Sequence, residues 1–177
     1  MPPSAHSWIP EPTLRAGYRR SSDATVDELW DAAQSVTLRD TALLGRLVRW
    51  RIPGLSAQLC FDEMFRTAPF LTLETGEHYL VSGLVGRIWT LRRDYPALDS
   101  PEAFAAWSAP GTARVVFAQW AAATASGETE LCVEARVEGI GRQGAIGVAA
   151  VRPIVRTFGS LVASEGIAAA VRRAERG

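Results

Sequence analysis

Gly139-Ile-Gly-Arg-Gln-Gly144 is a literal G-x-G-x-x-G placed between an alternating strand and a helical segment. In a dinucleotide site such glycines let the backbone approach a pyrophosphate at a helix N-terminus. That site also needs a second parallel strand and an acidic residue beyond it. Here only residues 145–177 follow, and they read as one helix, with Glu165 inside it. The motif is therefore expected to be a strand-to-helix turn, and no cofactor is expected. His78 is the only histidine besides His6. It follows Glu77 at a hairpin turn, where a histidine is ordinarily solvated. Its near-neutral intrinsic pKa would also suit a general acid or base at a cavity mouth. Glu165 falls on the Ile154, Phe158, Leu161 face of the last helix. Desolvation there would raise its pKa and make it a candidate acid, unless the break at Gly166 turns it to solvent. Tyr79 is the third candidate. Gln119 alternates with Phe117 and Val115, so its amide meets a ligand if that face looks inward. The opposite reading puts Val116, Ala118 and Trp120 inward.

Other chemistries lack their residues. Cys60 and Cys132 are too far apart in sequence for a Cys-x-x-Cys pair, and with two histidines they give no metal-ligand spacing, so no metal site is expected. Gly159-Ser160 lacks the surroundings of a nucleophile elbow. All 19 basic residues are arginine, so Schiff-base chemistry with a lysine is absent. They balance 19 acidic residues, and this neutrality argues against a nucleic-acid partner, whose footprint is a basic surplus. Arg92-Arg93 and Arg172-Arg173 read as solvated ends of elements, with a portal for an acidic ligand as the sharper alternative.

These residues need a scaffold. With 177 residues, 47% of them hydrophobic, the chain is expected to form one soluble globular domain with a real core, not a disordered segment. Neither a membrane span nor a secretory signal is visible, so a cytoplasmic location is expected. Residues 1–13, with four prolines, read as a flexible tail that Trp8 and Ile9 could pin, and 14–177 as the single domain.

Leu14 to Ser22 suits an opening strand. Thr25-Val-Asp-Glu28 is a capping box ahead of a helix, and Asp40 is a second candidate N-cap, before a helix stopped at Pro53-Gly54. Leu55 to Thr67 fits either a short helix or a strand. Phe70 to Val85 reads as a hairpin around Gly76, with a bulge at Gly83 and Gly86 carrying the strand on to Trp89 and Leu91. Ser100-Pro101 opens a short helix. Ala113 to Ala123 and Thr129 to Glu138 are strands, the second with one buried and one wet face. Gly144 to Arg176 is helical, with Pro153 inside it and a phase slip after Gly166. The order is strand, two helices, antiparallel strands and a long terminal helix, which is α+β.

In that order the sequence resembles the SRPBCC superfamily, the START-like or helix-grip proteins, and among them bacterial proteins related to polyketide cyclase/dehydrases. The resemblance rests on Thr25-Val-Asp-Glu-Leu-Trp30, Gly83-Leu-Val-Gly-Arg-Ile-Trp89, Gly111-Thr-Ala-Arg-Val-Val-Phe117, Glu128 to Val137, and Arg152-Pro153, and it runs from about Leu14 to Glu175. It implies a curved antiparallel sheet wrapped around a long C-terminal helix, with a hydrophobic cavity between them. Members bind lipids, sterols, polyketides and other apolar molecules, and some catalyse cyclisation or dehydration.

The expected function is binding of a hydrophobic or amphipathic small molecule, with a polyketide or aromatic cyclase or dehydratase as the alternative. Expected ligand contacts are Tyr79, Trp89, Phe117, Gln119, Trp120, Ile154, Phe158 and Leu161. His78, Glu165 and Tyr79 are the catalytic candidates. A monomer or homodimer is expected.

Overall fold

The computed structural model describes residues 5–51, 54–90 and 95–176. The first described residues form a short helix, α1 (Ala5–Trp8). It is not loose: Ala5 and Ile9 are buried against the outer face of the sheet. β1 (Leu14–Ser22) leads into α2 (Val26–Ser35). The capping box forms as the sequence predicts. Thr25 Oγ1 accepts from the Glu28 N–H, and the Glu28 carboxylate accepts from the Thr25 N–H at 2.9 Å.

Asp40 does not cap the next helix. It is the third residue of a 3₁₀ turn, Leu38–Asp40, and accepts from the N–H and hydroxyl of Thr37. Thr37 stands three residues upstream, and this local box takes up the carboxylate. α3 (Leu43–Arg51) follows. The stop expected at Pro53 lies outside the described residues. The ambiguous stretch resolves as a helix, α4 (Phe61–Arg66).

The hairpin is β2 (Leu71–Gly76) and β3 (Tyr79–Gly86). Its bulge is in β2, between Thr72 and Glu74, and not at Gly83. Gly86 adopts φ +135 and ends β3, so Trp89 lies in a turn beyond the strand. Ser100 caps α5 (Pro101–Ala105) through the Ala103 N–H. β4 (Ala113–Ala123) and β5 (Thr129–Gly139) complete an antiparallel sheet in the order β1-β5-β4-β3-β2.

The G-x-G-x-x-G is a structural turn. Gly141 has φ +69. A Cβ on Gly139 would lie 2.5 Å from the carbonyl carbon of Gly144, and one on Gly144 would lie 2.4 Å from the Thr112 carbonyl oxygen. The glycines let the end of β5 touch the helix that follows it. That helix, α6 (Gly141–Leu161), crosses the inner face of β5 and β1. It passes through a π-helical turn, Val162–Ile167, into α7 (Ala168–Ala174). The segments Gly141–Ile154 and Gly159–Ala174 are bent by 44° to one another, just past Pro153. The wide turn accounts for the phase slip seen in the sequence, because it adds a residue to the helical repeat. Among the described residues no single helix is long and apolar enough to cross a membrane.

The architecture is α+β: a sheet wrapped around a long C-terminal helix, with short helices after the first strand. Both faces of the sheet are covered. On the outer face Val81, Val85, Val116 and Ala118 pack with Phe104, Ala5 and Ile9. Cover also reaches the side of β5 expected to be wet. Arg136 is only 7% exposed. It donates to the Ile9 carbonyl at 2.9 Å and to Glu134, so it anchors the N-terminal residues and does not belong to a solvated shell. On the inner face, Leu29, Trp30, Leu80, Ala121 and Val171 form the main core toward α2 and α7.

Candidate apolar binding cavity

Between the inner face of the sheet and helices α3, α4 and α6 the core opens into a cavity of about 620 Å³. Its floor is the inward row of four of the five strands: Ala16 and Tyr18 of β1, Val133, Ala135 and Val137 of β5, Val115, Phe117 and Gln119 of β4, and Leu84 of β3. Two alanines explain why the floor is hollow. Ala16 and Ala135 are direct cross-strand partners, and Phe117 pairs with Ala135 on the other side. Methyl groups stand where larger side chains would meet the helix. Gly159 brings α6 onto Tyr18, since a Cβ there would lie 2.6 Å from the Tyr18 ring. The Tyr18 hydroxyl donates to the Arg156 carbonyl at 3.3 Å.

One end of the cavity is walled by aromatic rings. Phe65 stacks on Phe117 with centroids 4.2 Å apart and meets Phe70 edge to face at 4.9 Å. Leu44, Leu47, Val48 and Trp50 come from α3, and Pro153, Ile154 and Thr157 from α6. Trp50 and Ile154 are each 67% exposed while also lining the cavity, so they mark its mouth.

The lining contains no Asp, Glu, His, Arg or Cys among the described residues. Its polar atoms come from Gln119, Tyr18, Tyr95, Thr157 and Trp50. Thr157 already donates to the Pro153 carbonyl. Gln119 is different. It is half-buried on the floor between Leu80 and Val133, and among the described residues nothing hydrogen-bonds its side-chain amide. A primary amide offers one acceptor and two donor hydrogens. In an apolar surround such an amide can select a ligand that carries a matching polar group.

Of the expected contacts, Phe117, Gln119 and Ile154 line the cavity. Tyr79 and Trp120 do not. They are cross-strand partners on the outer face, packed toward Phe104 and Val81, and the Tyr79 hydroxyl donates to Glu74 at 2.9 Å. That bond holds the Tyr79 hydroxyl proton and raises its pKa above the usual phenol value. Alternation could not choose the face of β4, because both rows are apolar and both are covered. Trp89 lies against α6 at Gly147, where an added Cβ would be 2.4 Å from its ring, and packs in the cluster of Leu14, Val137 and Val148. Leu161 packs on the main core. The Phe158 side chain and Arg92-Arg93 lie outside the described residues.

Neither acid/base candidate reaches the cavity. His78 Nε2 sits 2.6 Å from Asp27 Oδ1 at the hairpin turn. Glu165 is turned away by the π-helical turn and binds the first amides of α3, Leu43 and Leu44. Among the described residues no cluster of three His, Cys, Asp or Glu side chains could hold a metal ion.

The lining that sequence reasoning missed comes mainly from α3 and α4, with Tyr18, Leu44, Leu47, Val48, Trp50, Met64 and Phe65. In the sequence Leu43, Leu44, Leu47 and Val48 recur at helical spacing and mark an apolar stripe on α3, but nothing local shows that its partner surface is hollow.

Fold and cavity together define a class: an α+β domain whose antiparallel sheet and C-terminal helix enclose an apolar pocket. No family model matches the chain, and no curated protein matches it. Two solved structures are similar over almost its whole length. One is the di-domain ARO/CYC BexL from the BE-7585A biosynthetic pathway, with TM-score 0.42, 13% identity and 96% of this chain covered. The chain spans about half of that protein's length, 53%. The other is hypothetical protein jhp0584 from Helicobacter pylori, with TM-score 0.42, 8% identity, 99% of this chain and 95% of that chain.

Proposed function

We propose that the protein binds a hydrophobic or amphipathic small molecule in this cavity, as the resemblance to the SRPBCC superfamily implies. The observation that carries the reading is a cavity of about 620 Å³ lined mainly by apolar side chains, with the Gln119 amide, unpaired among the described residues, on its floor. That volume is in the range of sites for drug-sized ligands, about 300–1,000 Å³. The ligand class is therefore a largely carbocyclic or acyl skeleton with a carbonyl or hydroxyl group placed to meet Gln119. The cyclase or dehydratase alternative requires a proton donor or acceptor at the ligand. His78, Glu165 and Tyr79 are all engaged elsewhere, so binding without chemistry is the better reading.

The test is titration with a fluorescent apolar amine, phenylnaphthylamine, together with native mass spectrometry of the purified protein. Saturable binding at one site is expected. The Gln119→Leu variant should lose about fivefold to tenfold in affinity for ligands that carry a carbonyl or hydroxyl, from one lost hydrogen bond of about 1–1.5 kcal/mol, and keep its affinity for pure hydrocarbons. An absence of saturable binding to any apolar probe would overturn the reading.

A further inference from the structure

The two helices that frame the cavity mouth have an unusual surface. The chain balances its charges, yet the segments of α3 and α6 contain six arginines and no acidic residue. Arg46, Arg49, Arg142, Arg152 and Arg156 are all exposed, and none forms an ion pair among the described residues. Elsewhere Arg15, Arg66, Arg114, Arg136 and Arg173 each pair with a carboxylate, while Arg19, Arg20, Arg39, Arg87, Arg172 and Arg176 form no ion pair among the described residues; what sets α3 and α6 apart is that neither carries an acidic residue. Among the described residues the exposed large apolar side chains are all on these helices: Leu43 (46%) and Trp50 on α3, Ile146 (60%) and Ile154 on α6.

Their spacing is helical. Leu43, Leu47 and Trp50 form one stripe, and Ile146, Ala150, Pro153 and Ile154 form another, with arginines beside each. An apolar stripe flanked by cations, with a tryptophan in it, is the surface of a helix that lies in a lipid headgroup region. From it we infer that α3 and α6 dock the protein on an anionic lipid surface, with the cavity mouth between Trp50 and Ile154 facing the bilayer. The occupant is set by charge. A second copy seated on this face would bring unpaired arginines against arginines with no carboxylate to relieve them. A neutral surface would leave the arginines unused. The lipid surface also fits the apolar stripes, which an acidic protein partner would have to cover with apolar groups of its own.

This inference rests on the rim and extends the binding reading. A ligand arriving from the bilayer would enter the cavity without crossing water. The two ideas separate experimentally, because Leu43, Ile146, Arg152 and Arg156 do not line the cavity.

The experiment is co-sedimentation with vesicles of phosphatidylcholine alone and of equal parts phosphatidylcholine and phosphatidylglycerol, at low and physiological salt. Binding to the mixed vesicles and not to the neutral ones is expected, weakening with salt. Each arginine near an anionic surface contributes about fivefold, so Arg152→Gln with Arg156→Gln should reduce binding about 25-fold. Leu43→Ser with Ile146→Ser should also reduce it. Both pairs should keep the wild-type circular dichroism spectrum and phenylnaphthylamine affinity. No binding to the anionic vesicles, equal binding to both kinds, or binding unchanged in both variant pairs would overturn the inference. Failure of phenylnaphthylamine titration with vesicle binding intact would sink the cavity reading and leave this one standing.

Discussion

Glu165 Oε2 lies 2.9 Å from the amide nitrogens of both Leu43 and Leu44, so a carboxylate of the C-terminal helix caps α3 from more than a hundred residues away. It supplies what Asp40 does not, a negative group at an orphan helix N-terminus. Glu165→Ala should cost about 1 kcal/mol of stability. Glu165→Gln should recover part of this, since its amide oxygen still accepts a hydrogen bond. Because α3 brings Leu44, Leu47, Val48 and Trp50 to the cavity, phenylnaphthylamine affinity should fall with stability in chemical-unfolding and titration series. Unchanged stability in the alanine variant would remove the capping role.

Ala135 pairs with Ala16 and Phe117 at the hollow of the floor. Ala135→Phe should place a ring in the cavity and lower probe affinity by an order of magnitude or more. The melting temperature should hold or rise, because the ring fills existing space and displaces no packed neighbour. A fall in melting temperature with affinity retained would mean that the floor is packed and the cavity lies elsewhere.

Acid should weaken the fold through two carboxylates. Burial pushes Glu134 up, but hydrogen bonds and charge from Arg15 and Arg136 outweigh it and hold the carboxyl below its ordinary value. Burial likewise raises Asp40, and the Thr37 N–H and hydroxyl with Arg173 outweigh it. A group whose folded pKa lies below its unfolded pKa binds fewer protons in the native state. Its stabilisation is therefore present above the unfolded value, about 4, and is lost as pH falls through the folded one. Urea midpoints should decline through that window. Glu134→Gln should be less stable at neutral pH and show a flatter acid limb; an unaltered limb would assign the acid sensitivity to other groups.

The two thiols should differ. Burial, with Glu130 nearby, pushes the Cys132 thiol up to about 11, so it is protonated at neutral pH. Cys60 is half-buried at the start of α4. Native protein treated with iodoacetamide should take up one label, at Cys60, and Cys60→Ser should take up none until unfolded. Peptide mass spectrometry reads the site, and early labelling of Cys132 would contradict its burial.

The sequence disclosed what short-range bonds decide. Thr25 with Glu28, and Ser100 with Pro101, announce helix starts because every atom involved lies within one turn. Leu131, Val133, Ala135 and Val137 announce β5 because their partners repeat every second residue. It did not disclose which row of β4 faces the cavity. Val115, Phe117 and Gln119 compete with Val116, Ala118 and Trp120, and the choice is made by α1, α5 and α6, which are distant in sequence. Asp40 shows the same limit at short range: its carboxylate is taken by Thr37, and the cap of α3 comes instead from Glu165, distant in sequence. The cavity was least legible of all. Space is left by what neighbours fail to fill, and Ala16 and Ala135 become neighbours only in the sheet.

The wide turn at Val162–Ile167 makes the final helix a matter of length as well as composition. Ahead of it, Pro153, Ile154 and Thr157 line the hollow; at its end and beyond, Ile167 and Ala170 line it too, and with Val171 they pack into the main core. Removing one residue there would rotate everything downstream by about 100°, swinging Val171 off α2 and Glu165 off α3 together. One inserted residue thus keeps two surfaces in phase, so a deletion there should do more damage than any single substitution within the turn.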